Sequence, residues 1–115
     1  MVNRVVTGAH YGLRDWLVQR VSAVVMALYT LFLLVLFGSR KHIDYATWHG
    51  IFASPLVKVL TLLFVVSVCM HVWVGVRDIY MDYVQPLGVR LTLQAITIVL
   101  LAAYAGWALV ILWRF

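Results

Sequence analysis

A lone histidine, His71, sits inside the apolar run TLLFVVSVCMHVWVG, and Asp78, Asp82 and Tyr83 follow it before Pro86. An imidazole in hydrocarbon costs free energy unless it has a partner, so a histidine at bilayer depth is a candidate ligand or relay. At about 100° per residue, His71, Gly75, Asp78 and Asp82 fall within about 40° of one line down a helix. Gly75, one turn from His71, removes a side chain where a flat macrocycle would have to lie against the backbone. His71 with Gly75 therefore reads as a haem site. Against it stand two plainer readings, a histidine hydrogen-bonded to a neighbouring helix and a glycine used for helix packing. His10, His42 and His49 fall in tails or loops as solvated surface groups. A haem iron with two axial imidazoles would then need its second one from another chain.

Tyr83 lies about 18 Å along the helix from His71, too far to touch the same small ligand, and so marks a second position. A phenol at a membrane interface ordinarily anchors its helix. With Asp82 adjacent, it could also donate a hydrogen bond to a quinone carbonyl and support the proton uptake that quinone reduction requires. Arg20 falls about one turn inside the first apolar segment, near the level of Asp78. A charge at depth costs roughly 2.5–3.5 kcal/mol at a helix centre and less toward its end, so Arg20 needs a partner. Asp78, Asp15 and a haem propionate are the candidates.

The elements that must position these groups are helices. With 65% hydrophobic and 11% charged residues and a mean hydropathy of +1.01, the 115-residue chain is far more apolar than a soluble domain. About three spans fit this length, and no room remains for a soluble catalytic domain. The expected architecture is an all-α membrane protein, one domain over residues 1–115, with three transmembrane helices in an up-down-up bundle at about 16–37, 55–84 and 90–113. Residues 1–15 read as an interfacial tail, because Arg4, Arg14, Asp15, His10 and two glycines interrupt any period. Tyr11 and Trp16 fit the headgroup belt. The first fifteen residues lack the apolar core of a signal peptide, so the first helix is expected to be retained.

In the loop at 38–54, Asp44 can cap a short interfacial helix ended by Gly50, and Tyr45 and Trp48 fit the aromatic belt. Ser54–Pro55 is a start signal, with Ser54 as cap and proline at the first helical position. Lys58 can snorkel outward from that first turn. Pro86 and Gly88 turn the chain, making the second and third helices antiparallel neighbours. Thr92, Gln94 and Thr97 then come level with Asp78–Tyr83. Ala23 with Ala27, and Ala102 with Gly106, offer close-packing faces.

The net charge of +5 arises from nine scattered cations, which suits anionic lipid headgroups and not nucleic acid. Cys69, the only cysteine, excludes an internal disulfide and any cysteine-based metal or iron–sulfur site, and reads as packing. Arg4, Arg14, Arg20, Arg77 and Arg90 on the N-terminal side face Arg40, Lys41, Lys58 and Arg114 on the other, a narrow preference for a cytoplasmic N-terminus and a periplasmic C-terminus.

From His71 to Gln94 the sequence reads HxWxGxRDxxxDYVxPLxxRLxLQ. With the Gly12–Arg20 segment, the stretch FASPLVKVLTLL and the three-helix length, it resembles the hydrophobic membrane-anchor family of bacterial succinate dehydrogenase, the small subunit of cytochrome b556. The resemblance implies half of a heterodimeric anchor in the bacterial inner membrane. With a second, similar three-helix anchor subunit it would dock the flavoprotein and iron–sulfur subunits, and it would carry no flavin or iron–sulfur cluster itself. It implies His71 as one axial ligand of haem b, the other coming from the second anchor, with Arg20 near a propionate. It implies Tyr83 hydrogen-bonded to ubiquinone with Asp82 beside it. Arg14 stands where some relatives carry histidine. The chain would be a non-catalytic subunit of succinate dehydrogenase (quinone), the tricarboxylic acid cycle enzyme. The rival readings are the anchor of a fumarate reductase and a non-redox three-helix accessory protein.

Overall fold

The computed structural model describes the backbone over residues 7–115 and the side chains from residue 12 onward. Arg4 and the side chains of His10 and Tyr11 lie outside the described residues. Four helices follow in order: α1 (Thr7–Gly38), α2 (Tyr45–Ala53), α3 (Pro55–Tyr83) and α4 (Leu87–Trp113). Three of them, over Gly12–Gly38, Pro55–Tyr83 and Leu87–Trp113, are long and apolar enough to cross a membrane. Every regular element among the described residues is a helix, and the chain is a multi-pass membrane protein, as its composition requires.

The boundaries differ from the sequence reading at several points. Helix α1 begins at Thr7 and not near Trp16. Once the apolar stretch has nucleated, each added residue costs only propagation, so a mixed segment with glycines can continue the helix. Asp44 does cap α2, accepting from the Thr47 N–H at 2.8 Å, but Gly50 does not end it, and the helix runs on to Ala53. Ser54 closes α2 and opens α3 through its backbone, its carbonyl accepting from the Lys58 N–H at 3.0 Å while its hydroxyl makes no cap. Pro55 stands at the first helical position as expected. Helix α4 starts three residues earlier than expected, at Leu87 directly after Pro86, since proline's missing N–H is no loss at a helix start.

Helix α3 is the middle of the arrangement, packing along α1 on one side and α4 on the other, with α2 folded against its N-terminal end. The α1–α3 seam carries Tyr29, whose hydroxyl meets Thr61 Oγ1 at 2.5 Å and whose ring stacks on Phe64 at 4.6 Å. The α3–α4 seam carries Tyr80 Oη to Thr97 Oγ1 at 3.1 Å, while Thr97 donates to the Leu93 carbonyl at 2.8 Å. Thr97 is therefore level with the polar end of α3, as the antiparallel turn requires. Cys69 Sγ rests 3.9 Å from the Leu101 carbonyl, a packing position. Ala27, Ala102 and Gly106 face outward, and a Cβ on Gly106 would meet nothing within 4 Å, so these small residues make no close seam among the described residues.

At the end remote from Tyr83, aromatic rings fasten α1, α2 and the C-terminus together. Phe37–Trp48, Trp48–Phe52 and Phe52–Phe115 have centroids 5.2, 4.8 and 5.6 Å apart. His49 lies half-buried in this group, 5.4 Å from Phe115 and 5.7 Å from Tyr45, and is not the solvated loop residue expected of it. Helical spacing explains this, since His49 sits one turn from both Tyr45 and Phe52 and so joins their cluster. Lys58 donates to the Phe115 carbonyl at 3.1 Å and lies 5.7 Å over the Trp113 ring, so its ammonium is used at this membrane end.

Candidate functional site

Helix α3, at 29 residues, is about 43 Å long against a hydrocarbon core of about 30 Å, so both its ends reach the headgroup region. His71 is about 24 Å from Pro55 and 18 Å from Tyr83, which sets it at bilayer depth. Opposite it on α1, Asp15, Gln19 and Ser22 recur at spacings of four and three, one polar stripe on an otherwise apolar helix. The two helices meet along these lines. His71 Nδ1 lies 3.0 Å from Ser22 Oγ, and Ser22 also donates to the Gln19 backbone carbonyl at 3.1 Å.

Beside this contact is a groove of about 500 Å³, open at the side and lined by Gly12, Asp15, Trp16, Gln19, Arg20, Ala23, His71, Val74 and Asp78. Its volume lies within the usual range for small-molecule and cofactor sites. His71, Ala23 and Val74 form the deep part with Arg20 close to their level, and Asp15 and Asp78 lie toward the end where α3 approaches the headgroups. Gly75 does not line the groove. The nearest atom to a Cβ placed there is Gln19 Nε2 at 3.7 Å, an ordinary contact, so Gly75 looks onto the Gln19 amide. Gln19 Oε1 is buried without a hydrogen-bond partner among the described residues.

The charges pair differently from the sequence expectation. Asp15 pairs with Arg77, not with Arg20, and Arg77 also stands 3.9 Å from Asp78. Arg20 makes no ion pair among the described residues and instead places its guanidinium 5.6 Å from the Trp16 ring centre. Arg20 and Asp78 both line the groove, but not at one level: the pairings Ser22–His71, Gln19–Gly75 and Asp15–Arg77 set the Arg20 backbone between the levels of His71 and Gly75, deeper than the sequence reading put it. Asp82 and Tyr83 lie apart from it at the end of α3, and Tyr83 is 81% exposed. The site therefore has two regions, a groove around His71 and an open polar end at Asp82 and Tyr83.

Sequence reasoning missed Ser22, Gln19 and the Asp15–Arg77 pair. The signal for them was available in the stripe at 15, 19 and 22, which an antiparallel α3 would have to face with His71, Gly75 and Asp78. Arg77 itself was read only as an interfacial cation.

A three-helix membrane layer with a histidine at bilayer depth beside a polar groove defines a multi-pass membrane protein, and the comparisons with known proteins give its family. The profile of the succinate dehydrogenase/fumarate reductase transmembrane subunit family matches residues 3–111. The chain belongs to that family and is a membrane anchor subunit. Among its relatives is the succinate dehydrogenase hydrophobic membrane anchor subunit of Coxiella burnetii (strain RSA 493 / Nine Mile phase I), 36% identical over 102 residues that cover 89% of each chain.

Proposed function

We propose that this chain anchors a succinate:ubiquinone oxidoreductase in a bacterial inner membrane, its N-terminus cytoplasmic. It would supply one axial ligand of a haem b shared with a second three-helix anchor, and part of the ubiquinone site. The iron–sulfur and flavoprotein subunits are its further partners in this reading. The observation that carries it is His71 on the wall of a 500 Å³ groove, held by Ser22 through one ring nitrogen. The residues present suit a haem. Imidazole is a usual haem ligand, Ala23 and Val74 give the groove apolar wall, and Arg20, a cation without a carboxylate partner among the described residues, lines the same groove and would hold a propionate.

When bound, the haem supplies a one-electron centre whose potential its ligands and burial tune. The chain's own residues do the rest. His71 orients through α1, Arg20 offers its guanidinium to an anionic group, and the open side of the groove leaves room for the second anchor and its imidazole. At the end of α3, the Tyr83 phenol makes no hydrogen bond among the described residues and is free to donate to a quinone carbonyl, with the Asp82 carboxylate next to it able to hold a proton. The quinone tail would stay in lipid along the exposed apolar faces. The family covers both reaction directions, and the name of the Coxiella relative favours succinate oxidation.

The test is made on the purified complex. Its reduced spectrum should show a b-type haem that is lost or altered in His71→Ala, and a wild-type complex without haem would overturn the ligand assignment. Tyr83→Phe should impair quinone reduction while succinate oxidation by an artificial acceptor is kept. Unchanged quinone kinetics would remove Tyr83 from the site.

A further inference from the structure

We infer that Ser22 is a positioning residue for His71: its hydroxyl fixes which imidazole nitrogen carries the proton and so sets the character of the nitrogen left to meet a metal. This rests on the haem reading above. Ser22 is 4% exposed, so no solvent competes for its hydroxyl. That hydroxyl has a single proton. The Gln19 backbone carbonyl, 3.1 Å away, can only accept, and it takes that proton. The serine oxygen then presents lone pairs to His71 Nδ1 at 3.0 Å, and the bond is made by Nδ1–H donating to it. A neutral imidazole has one N–H, so Nε2 keeps its lone pair.

Three consequences follow from this chain of hydrogen bonds. The ligand-competent tautomer is selected before any metal arrives, so binding does not have to wait for a proton to move between ring nitrogens. The ring plane is fixed against α1 by a group that is itself tied to the backbone, which a mobile water would not do. Serine, already donating to a carbonyl, is a better acceptor than a free hydroxyl, because hydrogen bonds in series polarise one another. Density drawn toward Nε2 makes His71 a more basic ligand and favours the ferric state, lowering the haem potential. The carbonyl that drives this is Gln19's own, on the residue whose side chain lines the groove, so the ligand's electronics are set by α1 although the ligand is on α3.

The experiment compares wild type, Ser22→Ala and Ser22→Thr in the whole complex. It reads haem content, midpoint potential by optical redox titration and the ferric low-spin electron paramagnetic resonance spectrum. Ser22→Ala should raise the midpoint potential and shift the ferric spectrum, and Ser22→Thr, which keeps the hydroxyl, should stay with wild type. If Ser22→Ala instead holds haem 10- to 100-fold more weakly in a complex that still oxidises succinate with an artificial acceptor, while Ser22→Thr retains it, the inference also stands. A Ser22→Ala complex with wild-type potential and spectrum overturns it, as does equal haem loss in both variants, which would make side-chain volume and not the hydroxyl the cause. A wild-type complex without haem fails differently, by removing the reading beneath.

Discussion

Arg77→Met and Asp15→Asn remove opposite ends of the ion pair that joins α1 to α3 across 62 residues of sequence, and they should not cost the same. Two unit charges 4 Å apart attract by about 4 kcal/mol at an effective dielectric of 20, a ceiling from which desolvation is subtracted. The side chains are 23% and 24% exposed, so screening is partial, and a coupling of about 1–3 kcal/mol is the reasonable range. Asp15→Asn leaves Arg77 a neutral acceptor at the same place and a second carboxylate, Asp78 Oδ1, at 3.9 Å. Its cost should be near 1 kcal/mol. Arg77→Met leaves Asp15 as a carboxylate at the groove mouth with its partner gone, and its cost should be about 2–3 kcal/mol. The double variant should cost less than the two singles added. Hydrogen–deuterium exchange of α1 and α3 peptides in the assembled complex reads these local opening energies. Exchange limited by opening should accelerate about 5-fold in Asp15→Asn and about 30- to 150-fold in Arg77→Met. Equal acceleration in the two variants, or strict additivity in the double, would refute the reasoning.

Two further outcomes follow from the same geometry. Gly75→Ala should leave exchange across the α1–α3 seam unchanged or slower, since the new methyl meets only Gln19 Nε2 at 3.7 Å and alanine gains about 0.8–1 kcal/mol of helix propensity. A faster seam would mean that the two backbones leave no room for a methyl, whereas a changed haem spectrum with an intact seam would mean that a macrocycle uses the gap. The Asp44 carboxyl is held below its ordinary value of 3.8, first by the Thr47 side chain and then by the Thr47 backbone N–H. A depressed carboxylate contributes stability that is present above the unfolded value and is lost as pH falls through the folded one. Amide exchange at the start of α2, corrected for the intrinsic pH dependence, should therefore keep its protection above about pH 4 and lose it below. Asp44→Ala should show the unprotected rate throughout, and a pH-independent protection factor in wild type would sink the assignment of that cap to the charged form.

Much of the fold was legible because a membrane imposes coarse rules. Long apolar runs, Pro55 at a helix start and Pro86 at a turn placed α3 and the α4 neighbour within a few residues. The start of α1 was not legible, because propagation from a stable span carries weak helix formers along with it. For the site, His71, Arg20 and Asp78 were singled out by cost, as polar groups in a solvent that penalises them, and the structure brings all three to one groove. The pairing among them was not legible. Asp15 and Arg20 stand five residues apart on α1, on different faces, and whether Asp15 meets Arg77 depends on the rotation of α1 about its axis, which the sequence does not give; in the structure the Tyr29 contacts with Thr61 and Phe64 lie on the same seam, far from the charges. Ser22 escaped notice for a simpler reason: a serine in an apolar helix is inexpensive, since it satisfies itself on the preceding turn, as Ser22 does on Gln19.

Helix α3 has neighbours on two sides, and among the described residues no large side chain is fully buried. Such a layer has almost no interior of its own for natural selection to protect. Lipid accepts most apolar substitutions, so drift on the lipid side should be nearly free. A saturation scan of every outward position, scored for growth that depends on the assembled complex, would then trace the footprint of the neighbouring subunits directly: where a surface leucine or alanine resists change, another protein is touching it.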